Sequence, residues 1–151
     1  SFHRLVPPGA RMVAVDLPGG TKRWKESEAS LKACAAELRR RGQGVELVWG
    51  NSMDAATIEA VRRLGPFDAI LIDADHRLPG VTADFANYGP MGRIVAFHDI
   101  SWRRAPEWVG TRIDVPQFWA SVKDRYRHRE IVHCPTGKNN GIGVLWREEA
   151  G

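Results

Sequence analysis

The sequence predicts an α/β fold in which a parallel sheet is flanked by helices. Short apolar runs alternate along the chain with longer segments of helical spacing, and each run is long enough only for a central strand. The composition of the 151 residues, with 43% hydrophobic and 26% charged residues, is that of an ordinary globular protein. It excludes a disordered or collagen-like chain. We expect one domain over residues 1–151, because a chain of this length can bury a single core.

The spacing of apolar residues predicts five elements in the first half of the chain. They are a strand at Arg11–Asp16, a helix at Lys25–Arg41, a strand at Val45–Trp49, a helix containing Ile58, Val61 and Leu64, and a strand at Phe67–Asp73. Gly42 ends the first helix, and Ser52 or Asp54 can cap the second. The apolar run at Phe67–Asp73 is nearly unbroken, so we expect both of its faces to be buried.

The second half predicts a further alternation of helices and strands. Its elements are a helix from about Pro79 to Tyr88, a turn at 89–92, a strand at Arg93–His98, a loop or lid at 101–113, a helix at Pro116–Arg127, a strand at Ile131–His133 and a last strand at Gly141–Trp146. Lys138–Gly141 is most simply a hairpin turn before the last strand. Trp102, Trp108 and Trp119 either line an acceptor pocket or pack in the core or lid.

Charge, hydropathy and cysteine usage exclude several classes of protein. The 22 Lys and Arg exceed the 18 Asp and Glu by four, and most of the excess lies in residues 101–151, where the basic residues Arg103, Arg104, Lys123, Arg125, Arg127 and Arg129 are grouped. Such a segment is typical of a solvated face, so nucleic acid is not the expected partner. The sequence contains neither a signal peptide nor an apolar run of the ~18–20 residues that span a membrane. With two cysteines that form no recognisable framework, we expect a cytoplasmic protein without membrane association.

Polar residues follow four consecutive strand candidates. They are Asp16, then Asn51 with Ser52 and Asp54, then Asp73 with Asp75 and His76, and finally His98 with Asp99. Each group by itself fits a turn or a helix cap. Because ligands of open α/β sheets bind beyond the carboxyl ends of the strands, four such groups at one edge indicate a functional site.

The residue types at this edge indicate the chemistry. Asp16 is placed where an acid accepts the hydroxyls of a ribose. Asp73 and Asp99 should end neighbouring strands and form an oxygen-rich site that suits Mg²⁺. His76 follows three residues after Asp73 and suits removal of a proton from a substrate hydroxyl. The alternatives are a surface histidine at a helix start for His76 and a core or strand-end histidine hydrogen-bonded to the backbone for His98.

Several blocks of the sequence resemble the class I S-adenosylmethionine-dependent methyltransferases. These blocks are IDADH (Ile72–His76), LPGV (Leu78–Val81), Asp84, Tyr88 and AFHDI (Ala96–Ile100), together with Pro7–Gly20, Val115–Trp119 and Asn139–Trp146. The most similar branch is the small bacterial type related to macrocin-type O-methyltransferases and cephalosporin-hydroxylase-like proteins. The resemblance covers nearly the whole chain and implies a Rossmann-like, mostly parallel sheet.

The resemblance also implies roles for the residues at the strand ends. Asp16 would bind the ribose of S-adenosylmethionine, the Asn51–Ser52 turn would lie at the adenine, and Asp73 would belong to the cofactor site as well. Asp73 and Asp99 would be ligands of Mg²⁺, with His98 as a third contact. His76 would stand where related metal-dependent enzymes place their general base.

Two features depart from the family pattern. Its first strand and glycine-rich loop have no counterpart, and Ser1–Val6 is typical of the last turn of a helix. We therefore expect an N-terminally truncated domain. His98–Asp99 stands where many metal-dependent relatives carry an acid or amide pair.

The leading hypothesis is a methyltransferase that uses S-adenosylmethionine and a divalent metal to methylate a hydroxyl of a small molecule. Two alternatives stay open: a non-catalytic cofactor-binding or scaffolding domain, and a metal-independent RNA methyltransferase, which the basic C-terminal segment suggests. The sequence does not determine the acceptor or the oligomeric state, and a homo-oligomer remains among the options.

Overall fold

The computed structural model describes residues 9–19, 27–101, 112–132 and 141–147. The chain divides into two compact units, Ser1–Leu64 and Gly65–Gly151. Both contain strands and helices, so the predicted α/β class is confirmed. In the described part of the chain, none of the helices has the length and apolar character needed to cross a bilayer.

The first unit is built on two parallel strands. Its elements are β1 (Arg11–Asp16), α1 (Ser27–Arg40), β2 (Gly44–Trp49) and α2 (Ala55–Leu64). The register of β1 and β2 runs from Arg11 opposite Gly44 to Asp16 opposite Trp49, which places the carboxyl ends of both strands at one edge. Ala35, Leu38 and Val45 form the core between α1 and β2.

The described residues of the second unit form a four-stranded sheet and two α-helices. Its elements are β3 (Phe67–Ile72), α3 (Leu78–Tyr88), β4 (Gly92–His98), α4 (Val115–Val122), β5 (Arg127–Ile131) and β6 (Ile142–Trp146), with 3₁₀ turns at Gly89–Met91 and Lys123–Arg125. The strand order is β3-β4-β6-β5. β3 and β4 are parallel, whereas β6 is antiparallel to both of its neighbours. The sheet is therefore mixed.

The core of the second unit lies between one face of this sheet and the helices α3 and α4. Val95, Phe97 and Leu145 have no exposed surface. The ring of Phe97 lies 5.4 Å from that of Phe85 on α3 and 5.3 Å from that of Phe118 on α4. Edge-on and tilted contacts of this kind add to the hydrophobic stabilisation of an aromatic core. This packing holds the central strand β4, and thus the residues at its end, in a fixed position.

The prediction of a helix over Pro116–Arg127 is wrong at its C-terminal end. α4 ends at Val122, and β5 runs over Arg127–Ile131, so it shares only Ile131 with the strand predicted at Ile131–His133, of which His133 lies outside the described residues. All five residues of β5 are exposed. Its sequence, RHREI, therefore lacks the alternation of apolar and polar residues by which a half-buried strand is recognised. The strand forms because its backbone pairs with β6, which is a contact between distant residues.

The expectation that both faces of Phe67–Asp73 are buried is also wrong. Ile72 belongs to the core with α3 and α4, whereas Leu71 exposes 60% of its surface. β3 is the first strand in the order of its sheet, and successive side chains of a strand point to opposite faces. Residues 102–111 of the predicted lid and 138–140 of the predicted hairpin turn lie outside the described residues.

Candidate metal centre

β3, β4 and the connection from β3 to α3 bring four polar side chains to one end of the β3–β4 pair. The parallel register pairs Ile72 with Phe97, so Asp73 and His98 leave adjacent strand ends side by side. Asp99 follows β4, and His76 lies in the connection from β3 to α3. The prediction that Asp73 and Asp99 follow neighbouring strands is confirmed.

Asp73, His76 and His98 direct ligand atoms to a common point. Oδ1 of Asp73 lies 3.0 Å from Nε2 of His76 and 3.1 Å from Nδ1 of His98. One nitrogen or oxygen atom from each residue lies within 4.8 Å of the other two. The Asp73 side chain is 46% exposed, so the group is accessible from solvent. Three donors at this separation could hold a metal ion.

Asp99 lies behind the two histidines. Its Oδ2 is 2.8 Å from Nδ1 of His76, its Oδ1 is 3.1 Å from Nδ1 of His98, and the residue is 3% exposed. Its backbone has a φ of +64°, the left-handed conformation that Asp and Asn adopt more readily than other residues with a side chain. The carboxylate is therefore positioned to hold the His76 ring by its Nδ1.

Two buried atoms in this group have no hydrogen-bond partner within the part of the chain that the structure describes. They are Nδ1 of His98 and Oδ1 of Asp99. These two atoms face each other over 3.1 Å, and the same nitrogen lies 3.1 Å from Oδ1 of Asp73, so they are in ion-pair contact without forming a hydrogen bond. An imidazole nitrogen that faces a carboxylate oxygen is a fitting donor for a cation, so the residues present suit a metal ion.

The two carboxylates raise the pKa of His76 from 6.5 to about 10, mainly through the hydrogen bond to Asp73 and then through that to Asp99, while burial acts in the opposite direction. In the metal-free protein His76 is therefore an imidazolium at neutral pH. Its charge offsets the repulsion between Asp73 and Asp99. The predicted role of His76 as a general base requires the neutral form.

Asp114 fixes the backbone around His76, and sequence reasoning missed it. Its N–H donates to the carbonyl oxygen of His76 over 2.7 Å, and its Oδ2 accepts the N–H of Leu78 over 3.0 Å. Asp114 is the residue before α4 and makes no side-chain cap on that helix. It caps α3 instead, by accepting the N–H of Leu78. An Asp directly before a predicted helix is recognisable in the sequence, but it would have been assigned to α4. The hydrogen bond from Leu78 and the guanidinium of Arg112 lower the pKa of Asp114.

The other predicted site residues lie in the first unit. Asp16 ends β1, where its Oδ1 accepts the N–H of Leu17 over 2.7 Å and its carbonyl accepts the N–H of Gly50 over 2.9 Å. Asn51 follows Gly50, and its Oδ1 accepts the N–H of Met53 over 3.0 Å. The structure thus brings Asp16 to the Asn51–Ser52 turn, as predicted from the parallel strands.

The tryptophans predicted as an acceptor pocket divide into two groups. Trp119 is 3% exposed and belongs to the core of the second unit, which confirms the core-packing alternative for this residue. Its indole N–H donates to Glu130 over 2.7 Å. Trp102 and Trp108 lie outside the described residues.

Comparison of the sequence with models of known protein families finds no match, and no curated protein matches it. The interpretation of the site therefore depends on its geometry and on the chemistry of its side chains.

Proposed function

We propose that this protein is a metal-dependent methyltransferase with a Rossmann-like fold, which transfers a methyl group from S-adenosylmethionine to a hydroxyl of a small molecule. The observation that carries the proposal is the convergence of Asp73, His76 and His98 at the carboxyl end of a parallel strand pair. Ligands and catalytic groups of open α/β sheets gather at that end. The resemblance of the surrounding sequence blocks supplies the reaction class.

The site of the methyl donor is proposed at the corresponding edge of the first unit. Asp16 and the Asn51–Ser52 turn lie together at the carboxyl ends of two parallel strands. A carboxylate in that position suits the paired hydroxyls of a ribose, as in dinucleotide-binding sites. The carboxylate of Asp16 therefore suits the ribose of S-adenosylmethionine, whose hydroxyls would donate to it.

The side chains of the candidate metal centre have different proposed roles. A bound divalent cation lowers the pKa of a hydroxyl and orients its oxygen for transfer. Asp73 would supply an anionic oxygen and His98 its Nδ1 nitrogen to hold the cation, and Asp99 restrains the ring of His76. Nε2 of His76 can either accept a proton or donate its lone pair to a cation, but it cannot do both.

The test begins with calorimetric titration of the protein with S-adenosylhomocysteine, with and without divalent cations. Binding in the micromolar range, followed by metal-dependent methylation of catechol or sugar hydroxyls, would support the proposal. In Asp73→Ala we expect turnover to be lost and the circular dichroism spectrum to be kept, because Asp73 lies beyond the strand and is half-exposed. Asp68→Asn, an exposed acid within β3, is the matched control.

Two results would contradict the proposal. Turnover that persists in chelator or in Asp73→Ala would exclude the metal-dependent reaction. Binding of the cofactor product without turnover on any hydroxyl acceptor would favour the cofactor-binding or scaffolding alternative.

A further inference from the structure

The donor set at the end of β3 and β4 differs from the one that Mg²⁺ prefers. Mg²⁺ binds oxygen ligands in octahedral geometry and keeps several waters. The three residues whose ligand atoms converge supply one carboxylate oxygen and two imidazole nitrogens. Imidazole suits first-row transition metals such as Zn²⁺, Fe²⁺, Co²⁺ and Ni²⁺.

The orientation of His76 suits a metal ligand. Its Nδ1 lies 2.8 Å from Oδ2 of the buried Asp99, so that carboxylate can hold the proton of the neutral ring on Nδ1. The lone pair is then on Nε2, which lies 3.0 Å from Oδ1 of Asp73. A carboxylate behind a histidine in this way fixes the tautomer and ring orientation of metal ligands and raises their basicity.

His98 completes the group with a nitrogen that faces two carboxylate oxygens. Its Nδ1 lies 3.1 Å from Oδ1 of Asp73, and among the described residues this buried nitrogen makes no hydrogen bond. Asp99, whose side chain is 4% exposed, directs its own Oδ1 to the same nitrogen. The unsatisfied atoms therefore lie at the point where the other two donors meet.

We infer that this centre binds a transition-metal dication in preference to Mg²⁺, with Asp73 Oδ1, His76 Nε2 and His98 Nδ1 as ligands and Asp99 as the residue that positions His76. The inference rests on the metal-binding part of the proposed function and not on methyl transfer. It replaces the general-base role of His76, because a nitrogen bound to a metal cannot accept a proton.

The experiment is a metal series on the 151-residue protein after removal of metals with a chelator. Calorimetry measures the binding of Zn²⁺, Co²⁺, Mn²⁺ and Mg²⁺ alone, and visible absorption reports the ligand field of bound Co²⁺. We expect one Co²⁺ or Zn²⁺ per chain, bound at least about 100-fold more tightly than Mg²⁺ because of the two nitrogen donors. The Co²⁺ spectrum needs no substrate, so it is independent of any methyltransferase activity.

Variants then assign the ligands. His76→Ala and His98→Ala should each weaken Co²⁺ binding at least about tenfold and change its spectrum, whereas His128→Ala, at an exposed histidine in β5, should leave both unchanged. His98→Asp should reduce the preference for Co²⁺ over Mg²⁺, because it exchanges a nitrogen donor for an oxygen donor. Circular dichroism confirms that each variant is folded.

Several outcomes would overturn the inference. They are the absence of divalent-metal binding, Mg²⁺ binding as tight as that of Co²⁺, and a Co²⁺ spectrum that is unaffected by both ligand variants. If the protein binds Co²⁺ as expected but does not bind S-adenosylhomocysteine or methylate any hydroxyl, the methyltransferase proposal fails and the inference about the metal stands.

Discussion

Asp99→Asn isolates the contribution of a buried charge that lies behind a metal ligand. The substitution keeps the size of the side chain and removes its charge next to Nδ1 of His76, which is 2.8 Å away. Asn tolerates the φ of +64° at this position, whereas Ala would add about 1–2 kcal/mol of backbone strain. The variant is therefore expected to fold. It removes the charge and, if the amide oxygen stays on Nδ1 of His76, directs the amide NH2 at Nδ1 of His98.

The expected loss of metal affinity follows from the burial of Asp99 and from its short contact with His76. Asp99 is 3% exposed, so solvent screens its interaction with His76 only weakly. Loss of an outer-shell carboxylate costs about 10–100-fold in metal affinity, which corresponds to about 1.4–2.7 kcal/mol. The amide oxygen of Asn can still accept the Nδ1–H hydrogen bond, so we expect a loss near the lower limit, about tenfold.

The assay is calorimetric titration of wild type and Asp99→Asn with Co²⁺ in the same buffer. Asp68→Asn removes an equivalent charge from an exposed position in β3 and should bind Co²⁺ as the wild type does. Equal affinity in Asp99→Asn and wild type would refute the reasoning, because the carboxylate would then have no influence on the ligand that it contacts.

Three further predictions concern the metal-free protein and its scaffold. In chelator, NMR titration should give His76 a pKa of about 10, up from 6.5. The imidazolium therefore stabilises the folded state fully below pH 6.5, and that stability is lost as the pH rises through 10. Asp73→Asn should lower this pKa, and an unchanged value would contradict the assigned cause. Leu145→Ala removes a side chain with no exposed surface and should lower the free energy of unfolding by about 2–5 kcal/mol in a denaturant titration, whereas a loss under about 1 kcal/mol would mean that the site collapses around the missing atoms. Asp114→Ala removes the cap on Leu78 and should cost about 0.5–2 kcal/mol of stability. It should also broaden the His76 resonances, while sharp and unshifted resonances would show that the turn holds without the cap.

Much of the fold could be predicted because local spacing carries it. β1 has the predicted bounds, β2, β4 and β6 begin one residue from their predicted starts, and α2 contains the predicted Ile58, Val61 and Leu64. β2, α2, β4 and β6 each contain buried residues on one side, so apolar residues recur with the period of the element, whereas β1 is partly exposed along its whole length. β5 has no such pattern, because none of its five side chains is buried. Backbone pairing with β6 determines it, and that pairing is not a local property.

The grouping of the site residues could be predicted, but not the tasks of the individual atoms. Polar residues that follow parallel strands must gather at one edge, so Asp73, His98 and Asp99 were found from the sequence alone. Which nitrogen of His76 faces which carboxylate depends on ring orientation, which the burial of Asp99 and the backbone hydrogen bond from Asp114 determine. Asp114 is separated from His76 by α3 and β4, so no spacing rule links the two.

The sequence by itself determined the α/β class, most element positions and the edge at which the polar residues gather, because these follow from local periodicity and from the direction of parallel strands. Only the tertiary structure decided that β3 is exposed on one face, that the four-stranded sheet is mixed, and that the donors that converge are those of Asp73, His76 and His98 rather than those of Asp73, Asp99 and His98. Strand order, side-chain orientation and burial arise from contacts between residues distant in the chain, and these contacts decide which donor atoms are available to a cation.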